Sequence, residues 1–284
     1  MTASVNATPQ LSVRGLGHAF ALHTVLDDVD LNVAAGEVVA LVGPSGCGKT
    51  TLLHLCAGLA TLRTGQIDNG FARPACMFQQ PRLLPWKNTL DNIALGLKAA
   101  GVPRAERSHR ARALGLQLGL VHEDFDKFPH QLSGGMQSRV ALARTLAIDP
   151  DLLLLDEPFS ALDIGLKTEL YALLLHHLEA RPMGVLMITH DLMEAVRLSD
   201  AVLVMAPAPG RIVRRMHISH PAAQRDDAFV YSTTAALLQD TAVRESFGLA
   251  PVVATCPANT GAAAGAEIIA LADPARAQRR SHRC

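Results

Sequence analysis

A glycine-rich loop at residues 43–51 carries the strongest chemical signal in the sequence. It matches the phosphate-binding pattern G-x-x-x-x-G-K-[ST], and it lies between an apolar run at 37–42 and a helix predicted from about Lys49 to Leu59. The glycines allow backbone N–H groups to turn towards phosphate oxygens, beside a helix N-terminus that favours negative charge. The pattern predicts a nucleotide-phosphate site with Lys49 on the terminal phosphates and the Thr50 hydroxyl on Mg²⁺, formed by Gly43, Pro44, Ser45, Gly46, Cys47, Gly48, Lys49, Thr50 and Thr51. Alone, this pattern is equally typical of kinases, GTPases, helicases and transporters.

Two adjacent carboxylates, Asp156 and Glu157, follow a run of four leucines at 152–155. Charges at the end of a buried strand are costly unless they have partners or a task. The carboxyl ends of strands in open α/β sheets are also where ligands bind. We therefore predict that Asp156 holds Mg²⁺ and that Glu157 polarises an attacking water.

A third pattern, Leu-Ser-Gly-Gly-Met-Gln at 132–137, leads into a helix predicted from about Met136 to Ala147. Glycines before a helix form a second backbone anion site, to which Ser133 adds a donor. The nucleotide contacts predicted here are Ser133, Gly134, Gly135 and Gln137. Because one triphosphate seldom needs two cradles from one chain, we expect this turn to serve the nucleotide of a second copy.

Alternating strands and helices must position these groups. Residues 11–17 and 24–33 alternate apolar and polar positions, as half-buried antiparallel strands do. The apolar runs at 37–42, 152–155 and 185–188 are separated by helical segments, which predicts a mostly parallel sheet with helices on both faces. Helical periodicity from about 90 to 120 indicates an inserted helical subdomain, placed at about 88–135. The expected boundaries are a 9–249 domain and a flexible tail, rich in Ala, Gly and Pro, at 250–284.

Composition limits the class of protein. The formal net charge of zero, without a large basic block, argues against nucleic-acid binding. No apolar run approaches the roughly 20 residues of a membrane span, and the N-terminus does not resemble a signal peptide, so we expect a cytoplasmic protein. Five cysteines without a C-x-x-C pair indicate reduced thiols, and the 12 histidines show no spacing typical of a metal site.

Together with Gln79, Asp163 and His190, these patterns resemble the nucleotide-binding subunit of ABC transporters over about residues 11–215. The resemblance implies an α/β fold with a P-loop NTPase (RecA-like) core, an N-terminal antiparallel β subdomain and the inserted α-helical subdomain. It also implies roles: Phe20 stacks on the adenine of ATP, Gln79 contacts Mg²⁺ and the water, and His190 contacts the γ-phosphate and orients Glu157. Asp163 communicates across a dimer interface. Gln80 is the competing choice for the role of Gln79.

The segment Leu-Leu-Pro-Trp at 83–86 and the motif Pro-Ala-Pro-Gly-Arg at 207–211 resemble the bacterial nitrate/sulfonate/taurine importers in particular. This resemblance implies a homodimer of ATPase subunits, two transmembrane permease subunits and an extracytoplasmic solute-binding protein. The chain would then lie peripherally on the cytoplasmic side of the inner membrane and use ATP with Mg²⁺ to energise uptake of a small solute. The alternatives are a non-transport ABC ATPase, such as an iron–sulfur assembly ATPase, and a non-catalytic nucleotide-gated regulator.

Overall fold

The computed structural model describes residues 8–160 and 162–250, and the backbone of 266–270. The strands are β1 (Gln10–Phe20), β2 (His23–Ala34), β3 (Val38–Val42), β4 (Thr64–Asn69), β5 (Pro74–Met77), β6 (Leu152–Asp156), β7 (Gly184–Thr189), β8 (Ala201–Ala206), β9 (Arg211–Ile218) and β10 (Ala266–Ala270). The helices are α1 (Lys49–Cys56), α2 (Thr89–Ile93), α3 (Leu95–Ala99), α4 (Arg104–Gln117), α5 (Gly134–Leu146), α6 (Ile164–Ala180), α7 (Leu192–Leu198), α8 (Asp227–Gln239) and α9 (Thr241–Ser246).

A seven-stranded sheet in the order β10-β9-β8-β3-β7-β6-β5 forms the centre of the molecule. The strands from β8 to β5 in that order run parallel, and β9 and β10 are antiparallel additions at one edge. Every residue of β3, β6 and β7 is buried, because helices cover both faces. The predicted parallel sheet is therefore confirmed, and its carboxyl edge collects the ends of β3, β5, β6 and β7.

The N-terminal strands form a separate antiparallel sheet in the order β2-β1-β4. Its apolar positions, among them Leu11, Leu16 and Leu26, pack in one cluster with Leu52 and Leu53 of α1. This packing places the sheet beside the loop that precedes α1. The predicted N-terminal antiparallel unit is confirmed.

The segment between β5 and β6 is helical, as predicted, but its helices are shorter than the periodicity indicates. The run predicted from 90 to 120 divides into α2, α3 and α4, with a break at Ala94 as well as at Gly101. Helix α1 ends at Cys56 and not near residue 59, since Gly58 adopts a φ of 69° that ends the helical geometry. Helix α5 begins at Gly134, two residues before the predicted start at Met136.

One strand falls within the stretch predicted as a tail. Strand β10 pairs antiparallel with β9, from Ala266 opposite Ile218 to Ala270 opposite Arg214. Composition did not predict this strand, and the other residues of 251–284 lie outside the described residues, so the boundary at 249/250 stays a prediction. Within 8–160 and 162–250, none of the helices combines the length and apolar character needed to cross a bilayer.

Candidate nucleotide site

The phosphate loop connects β3 to α1. Gly48 has a φ of 99°, and a Cβ there would lie 2.7 Å from Cδ2 of Leu26, so this position requires glycine on both counts. The Nζ atom of Lys49 donates to the carbonyl oxygens of Gly43 at 2.8 Å and Pro44 at 2.9 Å. Lys49 is only 6% exposed, so its ammonium group is held against the loop that the pattern assigns to phosphate.

Asp156 ends β6 beside the start of α1. The hydroxyl of Thr50 donates to Oδ1 of Asp156 at 3.3 Å, although the two residues are 106 positions apart. Burial raises the pKa of the Asp156 carboxyl; the Thr50 hydrogen bond opposes this rise, and the nearby Glu157 carboxylate adds to it. A buried carboxylate next to a hydroxyl is a set of hard oxygen donors of the kind that Mg²⁺ prefers.

Glu157 occupies a strained position at the end of the strand. Its φ is 44°, in the left-handed region that costs a non-glycine residue about 1–3 kcal/mol. Its backbone N–H donates to Ile188 of β7 at 2.9 Å, which helps to keep the residue at the sheet edge. Strain of this kind is common where a side chain must be aimed at a reaction centre.

Two donors converge on one oxygen of Glu157. Nε2 of Gln79 lies 3.1 Å from Oε2, and Nδ1 of His190 lies 3.2 Å from the same atom. Gln79 follows β5 by two residues and His190 follows β7 directly, so the parallel register brings both to β6. The structure thus places Gln79, Glu157 and His190 in direct contact, with Thr50 and Asp156 beside them.

The described residues contain no group of three or more His, Cys, Asp and Glu side chains arranged to hold a metal ion. Mg²⁺ at nucleotide sites is held by one or two protein oxygens together with substrate phosphates and waters. Thr50 and Asp156 together offer that number of protein oxygens, and the roles of Thr50, Asp156 and Gln79 as Mg²⁺ ligands stay predictions.

Phe20 lies at the end of β1, on the N-terminal sheet. Its ring is 57% exposed, and it packs edge-on against the buried imidazole of His18, with ring centroids 4.8 Å apart. An exposed aromatic ring that is fixed by a neighbouring side chain, here His18, is suited to stacking on a flat base. His18 has no signal of its own in the sequence, since a lone histidine in a strand is not distinctive.

Ser133 and Gly134 are the exposed residues where the turn at 132–137 enters α5. Ser133 caps α5 through Oγ, which accepts from the N–H of Met136 at 3.3 Å. A Cβ at Gly134 would have nothing within 4 Å, whereas one at Gly135 would lie 2.8 Å from Leu166. The amide of Gln137 donates to the carbonyls of Pro129 and Leu132, so its described contacts hold the turn in shape. Its nucleotide contact stays a prediction.

Asp163 caps α6, with Oδ1 accepting from the N–H of Leu166 at 2.9 Å. Its neighbour Ala161, part of the turn at 160–163, lies outside the described residues. The dimer-interface role of Asp163 therefore remains an expectation.

Two polar residues that sequence reasoning missed fix the loop after Gln79. Asn92 is fully buried and makes four hydrogen bonds to the backbone of Leu84, Lys87 and Asn88. Arg144 of α5 donates to the carbonyls of Pro81 at 2.7 Å and Arg82 at 3.0 Å. The role of Arg144 depends on its hydrogen bond to Pro81, 63 residues away, and no local sequence pattern indicates that contact.

A cavity of about 660 Å³ lies elsewhere, between α4, the end of α5 and the second half of α6. Its lining includes Leu114, Asp149, His177 and Arg181 and none of the phosphate-loop or strand-end residues. Arg181 and Asp149 form an ion pair there, so this cavity is a cleft between packed helices and not the nucleotide site.

Comparison with known proteins agrees with this geometry. The sequence profile of the ABC transporter family matches residues 26–160. The aliphatic sulfonates import ATP-binding protein of Corynebacterium glutamicum is 41% identical over 239 residues, which cover 84% of this chain and 97% of that protein. The taurine import ATP-binding protein of Yersinia pestis is 42% identical, covering 74% of this chain and 84% of that protein.

Solved structures give the same result. A dimeric bacterial ABC transporter cassette superposes with a TM-score of 0.64 at 28% identity, covering 72% of this chain and 97% of that chain. A dimeric cassette in a post-hydrolysis state, bound to ADP and phosphate, superposes with a TM-score of 0.63, also at 28% identity.

Proposed function

The chain belongs to the ABC transporter family as one of its ATP-binding ATPase subunits, and from this membership we propose that it hydrolyses ATP to drive uptake of a small solute through a separate permease. The observation that carries the proposal is the convergence of Gln79 and His190 on Oε2 of Glu157, beside the Thr50–Asp156 pair.

Glu157 is the group that we assign to activation of the attacking water. Its carboxylate can accept a proton from water, while the donors of Gln79 and His190 fix its direction. Because a carboxylate only accepts, His190 must carry its proton on Nδ1 when it bonds to Glu157. We assign to the other ring nitrogen, Nε2, the contact with a γ-phosphate oxygen.

Thr50 and Asp156 are the proposed Mg²⁺ ligands, with Gln79 as a third. These residues would hold the ion beside the phosphates of ATP, where it would supply positive charge against the charge of the transferred group. Lys49 and the backbone N–H groups of 43–51 would hold the β- and γ-phosphates, and Phe20 would stack on adenine. Gly48 suits this cradle because it adopts a positive φ without strain and leaves room for Leu26, which a Cβ would approach within 2.7 Å.

The turn at 132–137 completes a site only if a second copy supplies it. Its outward-facing Ser133 and Gly134 supply donors at the N-terminus of α5, a helix of 13 residues whose dipole favours phosphate. The relatives solved as dimers support a homodimer with one ATP between the phosphate loop of one copy and this turn of the other. Asp163, which begins α6, would sit at the same interface.

The loop after Gln79 is the surface that we assign to the permease. Trp86 is 70% exposed at its tip, although Asn92 and Arg144 fix the loop backbone firmly. A rigid loop that presents an exposed tryptophan is typical of a protein contact surface. Because Gln79 precedes this loop and contacts Glu157, displacement of the loop by the permease would change the position of Glu157.

Because the compared relatives are named import ATP-binding proteins, we extend the proposal to placement on the cytoplasmic face of the inner membrane, with two permease subunits and an extracytoplasmic solute-binding protein. They favour a sulfonate-like solute over other small anions, since the names of the compared proteins specify aliphatic sulfonates and taurine. No observation favours the iron–sulfur assembly alternative.

The test is recovery of the complete assembly. Tagged Glu157→Gln protein, held with ATP, is purified from detergent-solubilised native membranes, and its companions are identified by mass spectrometry. We expect a multi-span permease in a 1:1 ratio with this chain, reduced by Trp86→Ala. Recovery of soluble assembly factors alone would overturn the importer proposal.

A further inference from the structure

A buried polar network joins the two helices whose first residues follow predicted active-site segments. Helix α6 begins directly after Asp163, and α7 begins after His190 and Asp191. Lys167 and Tyr171, one turn apart on the same face of α6, meet Glu194 of α7. These three residues, Lys167, Tyr171 and Glu194, are called the α6–α7 link.

Glu194 lies at the centre of the link. It is 4% exposed, its Oε2 accepts the Tyr171 hydroxyl at 2.8 Å, and Nζ of Lys167 lies 3.8 Å from the same oxygen. Burial raises the pKa of the Glu194 carboxyl, whereas hydrogen bonds from Thr189 and Tyr171 and the charge of Lys167 oppose the rise. A carboxylate at this depth is tolerated because it has partners, and each partner is therefore held in place by it.

Lys167 extends the link to the residue after His190. Its Nζ lies 3.6 Å from Oδ2 of Asp191. The other oxygen of Asp191 caps α7, accepting from the N–H groups of Met193 at 3.0 Å and Glu194 at 3.2 Å. The Lys167 ammonium group thus lies close to both the N-cap and the first turn of α7, which begin directly after His190.

Tyr171 extends the link to the segment of Glu157. Its ring packs edge-on against Phe159, with centroids 5.0 Å apart and planes at 87°. Phe159 is 1% exposed and follows Glu157 by two residues. The backbone N–H of Lys167 also donates to the carbonyl of Asp163 at 2.9 Å. The link therefore touches the segments that carry Glu157, Asp163 and His190.

We propose that Lys167, Tyr171 and Glu194 are positioning residues: they hold His190 against Glu157 and transmit displacement of the Asp163 end of α6 to His190. The inference rests on the proposed ATPase function and adds a coupling route to it. Closure of a second copy onto Asp163 would move α6, and through the link would set the His190–Glu157 contact. Hydrolysis would thereby become responsive to dimer closure.

The kinetic test removes single groups from the link. Tyr171→Phe deletes the hydroxyl and keeps the ring against Phe159, and Glu194→Gln keeps the shape and removes the charge. The matched control is Tyr231→Phe, because Tyr231 is the second of the two tyrosines in the chain and is 59% exposed on α8. We expect kcat to fall roughly 10-fold in both link variants, since small displacements of catalytic groups are costly. KM for ATP should change by less than about 2-fold, as the phosphate loop is untouched.

A second readout follows His190 directly. In protein labelled with ¹⁵N-histidine, the His190 imidazole signals are assigned by their loss in His190→Gln. We expect these signals to shift in Tyr171→Phe and Glu194→Gln and to stay in place in Tyr231→Phe. Unchanged His190 signals in both link variants would overturn the proposal, even if kcat fell with the folded fraction, because the link would then only stabilise the fold. An inactive wild-type protein would defeat the ATPase proposal, whereas the ¹⁵N comparison would still decide the coupling.

Discussion

Two regions of the molecule differ in whether their polar groups have partners within the chain: the carboxyl edge of the central sheet and the turn at 132–137. At the sheet edge, Lys49, Asp156 and Glu157 all find partners within the chain. At the turn, Ser133 and Gly134 face outward, and the described residues contain no hydrogen bond or ion pair between this turn and the phosphate loop. One region is assembled by the fold of a single chain, and we propose that the other binds the nucleotide held by a second copy.

Because of this difference, substitutions in the two regions should affect different nucleotides. We propose that the sheet edge carries the groups for proton transfer and metal binding, so that substitutions there should act on the ATP bound by the same chain. The turn supplies Ser133, two glycines and the N-terminus of α5, and we propose that substitutions there act on the ATP bound by a partner copy. The following expected results test that division, beginning with the largest effect.

Glu157→Gln tests the sheet edge alone. The amide keeps the shape of the side chain but cannot accept a proton, so we expect phosphate release to fall by about 10²–10⁴-fold. Binding of a fluorescent ATP analogue should change little, since Lys49 and residues 43–51 are intact. The control is Glu123→Gln, at an exposed position far along the helical insert. Turnover close to that of wild type would remove Glu157 from its assigned role.

A mixed dimer tests whether the two regions belong to one site from two chains. Lys49→Ala disables the sheet edge, and Gly134→Asp places a carboxylate where the turn would meet phosphate, at a position with open space around it. Each homodimer should be nearly inactive. A heterodimer carries both defects in one site and neither in the other, so its ATPase rate should recover to roughly half of wild type. The chains are co-expressed with two different tags and purified through both; a heterodimer as inactive as its parents would contradict the division.

The same contrast shows what a sequence can predict. The apolar runs at 152–155 and 185–188 are local, and strand register alone then places Asp156, Glu157 and His190 at one edge. The positive φ of Glu157 was not predicted, because it results from tertiary pairing with Ile188. Arg144 and Glu194 were missed for the same reason: their partners lie 63 and 23 residues away, and neither has a distinctive neighbourhood.

Phe20 tests whether the N-terminal sheet belongs to the first region. Loss of stacking in Phe20→Ala should weaken ATP binding by about 1 kcal/mol, or roughly 5-fold, whereas Phe20→Tyr keeps the aromatic face and should change affinity by less than about 2-fold. Leu22→Ala is the control, because Leu22 is fully exposed at the tip of the same hairpin. Titration with ATP and with GTP gives the comparison. An equal loss in the Phe20→Ala and Leu22→Ala variants would mean that Phe20 does not stack on the base.

The smallest effect concerns stability, where the two regions should respond with opposite signs. Because the pKa of Asp156 is raised above its ordinary value of 3.8, the folded state binds this proton more tightly than the unfolded state does. The free energy of unfolding therefore falls as pH rises from 3.8 through the raised pKa of the folded state, and the charged carboxylate destabilises the fold at neutral pH. Asp156→Asn removes the charge and retains an oxygen for the Thr50 hydroxyl, so we expect Tm at pH 7 to rise by a few degrees, about 2–4 °C for each 1 kcal/mol. The gain should shrink near pH 4, and ATPase activity should be lost at either pH.

At the turn, Ser133→Ala deletes a helix cap and should lower the free energy of unfolding by about 0.5–1 kcal/mol. Thermal melts of both variants, with the exposed Asp126→Asn as control, check the signs; a lower Tm for Asp156→Asn at pH 7 would show that its charge stabilises the edge.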